Sequence, residues 1–331
     1  MTRQVLVLCL AMVVGVSMAW CQTGEEKTFG CEANPTGDPV GGGEGYSDIF
    51  TSGDFTATTD AELLAAFEEA EPGDIIYVPD GTEIDLTEHG TITIPGGIII
   101  AGSRGLDGSP GAKIFSHRQT GTCFVIGGDD VRLTGLRFEG PSDSRERTVH
   151  SATFVRIARA GLEVDNCEIY NWNIQGIYVQ RGAFDTYVHH NYIHHCQRSG
   201  YGYGVVLYGA TARIIGNMFD YCRHHIAAGG HPGSGYEAAY NLVLENANGH
   251  NFDMHGGRDR GDGTDIAGDY MHIHHNTFRG PHRAVVIRGV PSQWARIHHN
   301  WFNEPVDEEV RSGGNTQVYS NVYGPEKTLE E

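Results

Sequence analysis

Tyr208, His255 and Arg288 each occupy the fourth place of a short phrase that is apolar at its first and third places. A phenol can give a proton, an imidazole titrates near neutrality and can take one, and a guanidinium can neutralise a carboxylate. Together they suit removal of a proton from a carbon beside a carboxylate and protonation of the oxygen that leaves. Asp253 or His250 can orient the imidazole, and Gln180, Tyr178, Arg258, Arg283 and His231 are expected to contact the substrate. After His255 a glycine-rich run carries Asp259, Asp262 and Asp265, oxygen donors of the kind Ca²⁺ takes, although the EF-hand spacing is absent. His224, His225, His231, His250 and His255 are a second donor set, of the nitrogen type that suits zinc or copper. A solvated acidic loop and ordinary surface decoration are the alternative readings of the same residues.

These side chains can cooperate only if the chain folds them onto one wall. The phrase recurs from Phe124-Val125-Ile126-Gly127 and Val155-Arg156-Ile157-Ala158 through Ile177-Tyr178-Val179-Gln180 and Val205-Val206-Leu207-Tyr208. It continues at Ile226-Ala227-Ala228-Gly229, Phe252-Asp253-Met254-His255 and Val285-Val286-Ile287-Arg288. Alternation of period two predicts strands with one buried and one solvated face. Stacked in register, the small residues Ala227 and Gly229 leave a dip between Tyr208 and His255.

A second phrase of six residues is apolar at its first place and apolar or aromatic at its last. Its fourth place runs Leu136, Cys167, Asn191, Asn217, Asn241, Asn276, Asn300, Asn321. A turn taken at the same place on every coil of a solenoid explains the aligned asparagines. Asn accepts the left-handed turn conformation, and its amide can bond to the copies above and below. Coils of roughly two dozen residues with short strands suit a β-helix and not a helical repeat. A longer gap before Ile273 marks an insertion just after His255.

Residues 59–70 predict an amphipathic helix capped by Thr59 or Asp60, placed to cover the open end of residues 59–323. Residues 20–58, rich in Gly, Pro, Thr and Asp, predict a loosely packed arm, and residues 324–331 a mobile tail. Arg3, the apolar run Val5–Val16 and Ser17-Met18-Ala19 predict a signal peptide over residues 1–19, hence a secreted, extracellular or periplasmic protein with no membrane span. The formal charge of −19 argues against a nucleic-acid partner. Cys196 and Cys222 fall on adjacent coils, as a disulfide or as a reduced pair. Trp172, Tyr201, Tyr203, Tyr236 and Trp294 are expected in or near loops, where aromatic rings can stack on sugars.

The helix, the entry Pro72-Gly73-Asp74-Ile75-Ile76-Tyr77-Val78-Pro79-Asp80-Gly81 and coils such as Ile273-His274-His275-Asn276 resemble the pectate-lyase-like superfamily over roughly residues 58–323. The resemblance implies an all-β, right-handed parallel β-helix. It also implies polysaccharide chemistry: an uronan lyase working by β-elimination, with an uronan epimerase, a glycoside hydrolase or a non-catalytic glycan-binding protein as alternatives. Lyases of this superfamily commonly use a lysine or arginine base with Ca²⁺. Lys27, Lys113 and Lys327 lie outside the central coils, which leaves Arg258, Arg260, Arg283 or Arg288 for that role. The expected partner is a polysaccharide and the expected state a monomer.

Overall fold

The computed structural model describes residues 29–147 and 151–324, so the expected signal segment and nearly all of the expected tail lie outside the described residues. The strands form three parallel sheets of eleven, nine and ten members. One coil shows how they connect. Thr186–His189 lies in the eleven-stranded sheet, Tyr192–His194 in the ten-stranded sheet and Tyr203–Tyr208 in the nine-stranded sheet, and Thr211–Ile215 returns to the first. Short parallel strands joined this way wind a right-handed coil.

The core is the inner lining of the coils. Val188 and Ile193, the first and last residues of one turn phrase, are fully buried on either side of the corner, as are Ile177, Val179, Val205 and Leu207. Aromatics fill part of the core, where Phe124, Phe138, Phe154 and Trp172 pack ring against ring. Trp172 and Tyr236 are therefore core residues, not the sugar-stacking loop aromatics expected from sequence. Cys196 and Cys222 are adjacent, buried and unbonded, so the reduced alternative holds.

The asparagine column is a hydrogen-bonded ladder. Asn217 Oδ1 accepts from both the backbone N and Nδ2 of Asn191, each at 3.0 Å. The pattern repeats through Asn241, Asn276, Asn300 and Asn321. One part of the expectation is corrected. The left-handed residue is not the asparagine but the one before it: Gly135, Asn166, His190, Gly216, Tyr240, His275, His299 and Ser320 all have φ between 47° and 68°. The turn bends at the third place, and the fourth place ties coil to coil.

The helix Asp60–Glu69 closes the first coil. Thr59 accepts a hydrogen bond from the Glu62 backbone, and Leu63 and Ala66 point into the core. The described part of the arm is not loose. It runs down the corner beside the asparagine ladder, from Gly30 N on His299 O to Gly41 N on Gly216 O, and ends as Phe55–Thr56 paired with Ile76–Tyr77. Arg104 Nη1 donates to Gly41 O at 3.0 Å, and Tyr46 OH donates to Asp165 at 2.9 Å. No helix among the described residues is long and apolar enough to cross a membrane.

Candidate functional site

The nine-stranded sheet carries the column expected from sequence. Val125, Arg156, Tyr178, Val206, Ala227, Asp253 and Val286 are direct neighbours on successive strands, and Gln180 pairs with Tyr208. The ladder continues past the strand ends, with Gly229 N on Leu207 O, His255 N on Ala228 O and Arg288 N on Met254 O. Tyr208, Gly229, His255 and Arg288 thus follow one another up the same wall.

The dip is present. A hollow of about 300 Å³ is lined by Tyr208, Ala227, Ala228, Gly229 and His255, with Tyr178, Tyr201 and Tyr203 on its far side. Gly229 leaves room there, because a Cβ would come within 3.1 Å of the Tyr208 ring and 3.0 Å of His231 Nδ1, which would then have to shift. The His231 ring packs on Tyr208 with centroids 4.0 Å apart. Beyond His255, a second hollow of about 460 Å³ is lined by His250, Arg258, Asp259, Asp265, Arg288 and Arg311, among others.

Asp253 stands between the two hollows and is fully buried. Arg288 clamps it with both arms, Nε to Oδ1 at 2.8 Å and Nη2 to Oδ2 at 2.5 Å. Three imidazoles surround the same carboxylate. His255 Nε2 is 3.2 Å and His224 Nε2 3.3 Å from Oδ2, and His250 Nδ1 is 3.7 Å from Oδ1. Burial alone would raise the pKa of Asp253. The imidazoles of His250 and His255, His224 when it is protonated, and the Arg288 guanidinium outweigh burial and hold it far below the ordinary carboxylate range. Burial pushes His224 down to about 4 and His225 down to about 3, so both imidazoles are neutral at pH 7.

Arg288 is not the free cation expected from sequence. Asp253 takes one face of its guanidinium, and Asp259 Oδ1 lies 3.3 Å from Nη1. Arg283 also departs from expectation, since it lines neither hollow and lies close enough to Glu309 to influence its charge. Arg258 does line the second hollow, and Gln180 stands beside Tyr208 on the preceding coil.

The insertion after His255 forms one helical turn, Gly257–Arg260, and a loop held to the sheet by Arg260, which donates to Gly229 O and Ile266 O. Two of its aspartates are engaged separately. Asp259 accepts from Gly256 N, and Asp262 accepts from Arg260 and from Thr264. They do not converge as a Ca²⁺ cage. Among the described residues, the acidic and histidine groups able to hold a metal ion are His224/His250/Asp253, Glu237/His272/His274 and Glu163/Asp165/His189. The loop aspartates belong to none of them, and mixed nitrogen and oxygen donors do not suit calcium.

Sequence reasoning missed Arg311. It is one coil beyond Val286 in the second-place column, on the strand Val310–Arg311. That strand is too short and too close to Gly313 and Gly314 to show alternation, and only the spacing from Val285 pointed to it.

No family model matches the chain, and no curated protein sequence matches it. Solved structures do. The alginate lyase of Paenibacillus sp. str. FPU-7 superposes with a TM-score of 0.53 at 16% identity, over 82% of this chain and 95% of that one. The family 28 exopolygalacturonase of Yersinia enterocolitica superposes with a TM-score of 0.50 at 10% identity, over 82% of this chain and 62% of that one. At such identities the likeness is one of fold, and with the three stacked parallel sheets it makes this chain a right-handed parallel β-helix.

Proposed function

We propose that the nine-stranded sheet face binds an acidic, uronic-acid polysaccharide outside the cytoplasm and cleaves it by β-elimination, with the chain acting as a monomer. The observation that carries this reading is the hollow in which Tyr208 and His255 share one wall, with ionised, buried Asp253 directly behind His255. A proton on His255 Nε2 directed at Asp253 leaves the lone pair on Nδ1 to act as base. That lone pair takes the C5 proton of the uronate. The C–H electrons form the double bond to C4 as the C4–oxygen bond breaks, and the Tyr208 phenol protonates the departing oxygen. Arg288 acts here as a positioning residue that keeps Asp253 ionised.

Tyr178, Tyr201 and Tyr203 offer ring faces to sugars in the same hollow, and Gln180, His231 and Arg258 are assigned to substrate contacts around it. The shape and the base suit an uronan more than a neutral glycan, because only the uronate has an acidified C5 proton. Hydrolysis needs two opposed carboxylates on the site, and Asp253 is buried behind His255 and Arg288.

The test is incubation with a panel of uronans while following the ultraviolet absorbance of the unsaturated product. Product is expected with at least one substrate. His255→Ala and Tyr208→Phe should each lower the rate by about 10²–10⁴-fold without unfolding the protein. Absence of product with every uronan, combined with retention on a glycan column, would assign the face to binding alone.

A further inference from the structure

His224 poses a problem that its neighbours do not solve. It is almost completely buried, and its Nδ1 lies 2.6 Å from the carbonyl oxygen of His250. A carbonyl can only accept, so Nδ1 carries the proton and the neutral ring has its lone pair on Nε2. Nε2 faces Asp253 Oδ2 at 3.3 Å, and no hydrogen bond forms there. A buried ring nitrogen and a buried carboxylate oxygen therefore face each other with no hydrogen bond between them. His250 Nδ1 is also buried and without a hydrogen-bond partner, 3.7 Å from Asp253 Oδ1.

We propose that a divalent transition ion of the zinc class binds between His224 Nε2, His250 Nδ1 and Asp253. One ligand atom from each of the three residues lies within 4.8 Å of the others, and a modest inward shift brings them to the roughly 3.3 Å that separates ligands bound at about 2.0–2.1 Å around a tetrahedral ion. The outer shell fits as well. Metal-bound histidines typically donate their second ring nitrogen to a backbone carbonyl, as His224 does to His250 O. Asp253 Oδ1 accepts from Arg288 Nε and keeps a lone pair to give. Two imidazoles and one carboxylate would leave a fourth position for an outside ligand, and His250 borders the second hollow.

This site differs in place and chemistry from the calcium site expected on Asp259, Asp262 and Asp265, and it does not depend on the lyase reading. A simple proton on His224 Nε2 is the competing occupant, but Nε2 lacks the alignment to bond to Asp253.

The test uses the whole chain, stripped with a chelator and titrated with Zn²⁺ alone by calorimetry and with Co²⁺ alone by visible absorption. One equivalent should bind with the absorption bands of a four- or five-coordinate ion. His250→Ala, at a partly exposed position, should weaken Zn²⁺ affinity at least tenfold, and His224→Gln should do the same. His272→Ala, which disrupts the separate Glu237/His272/His274 group, should leave this binding unchanged. Absence of binding to the stripped protein overturns the proposal, as does binding lost only in His272→Ala. Uronan cleavage by a stripped protein that then binds no Zn²⁺ would overturn this site and leave the proposed function standing. Zn²⁺ binding without product would do the reverse.

Discussion

At the scale of single residues, each coil divides one corner between two neighbouring positions. The third place adopts the left-handed conformation, and where it is not glycine it is a residue such as His190, Tyr240 or His299 held there by its surroundings. Non-glycine residues in this region cost roughly 1–2 kcal/mol each. The fourth place offsets that cost with buried amide bonds to both neighbouring coils. Asn241 Oδ1 accepts from two groups of Asn217, and Asn241 Nδ2 donates to Ile214 O and Asn276 Oδ1. Asn241→Ala removes these bonds and leaves buried donors and acceptors without partners. A loss of about 3 kcal/mol is expected, read as a lower urea midpoint. Asp253 belongs to the same scale, because its ionisation rests on Arg288 and the imidazoles, and Arg288→Ala should lower uronan cleavage by disordering His255 more than by weakening substrate binding. That outcome would appear as a fall in kcat with little change in KM.

At the scale of elements, the arm and the insertion are pinned segments and not free loops. The arm meets the corner at Asp165, a buried carboxylate that also accepts from Arg132 and Thr134. Tyr46 OH adds a 2.9 Å bond to the same oxygen that Thr134 uses. Tyr46→Phe should lower stability by about 1 kcal/mol. It should also speed proteolysis between residues 40 and 50 more than elsewhere, while uronan cleavage, on a different sheet, stays unchanged. The insertion after His255 is fastened by Arg260 over Gly229, which places its short helix at the edge of both hollows.

At the scale of the whole molecule, a stack of coils is stable only if both ends are covered, since each coil contacts its neighbours alone. Leu63 does this at the first end and is fully buried, so Leu63→Ala is expected to cost about 2–5 kcal/mol. Hydrogen exchange should then quicken in the strands Ile75–Tyr77 and Ile99–Ala101 before it does so in the central coils. At the other end Glu309 is buried, and burial pushes its pKa up to about 7 from 4.5, against hydrogen bonds from the backbone of Ala284 and Glu304. The folded state therefore holds this proton more tightly than the unfolded chain. Its stabilising contribution is complete below pH 4.5 and is lost as pH rises through about 7. The loss amounts to no more than about 3 kcal/mol. Glu309→Gln should flatten that part of the stability profile, measured by thermal unfolding between pH 5 and 8.

Periodicity in the chain was sufficient for the coil, the asparagine ladder, the cap helix and the order of residues up the nine-stranded sheet. All of these follow from strict local alternation repeated at nearly equal spacing, which leaves parallel stacking as the way to bury every apolar place. The same spacing brought Tyr208, His255 and Arg288 to one wall before any contact was known. It did not reveal that Arg288 is clamped onto Asp253, that Asp262 bonds within its own loop and Asp259 to both Gly256 and Arg288, or that the arm lies along the corner. Nor did it show that His224 Nε2 has no partner. Those outcomes depend on side-chain direction and on contacts between residues far apart in the chain, such as Tyr46 with Asp165 and His224 with Asp253. A repeat specifies which residues are vertical neighbours, whereas only the folded surroundings decide which charges are already neutralised and which buried polar atoms are left without a hydrogen bond.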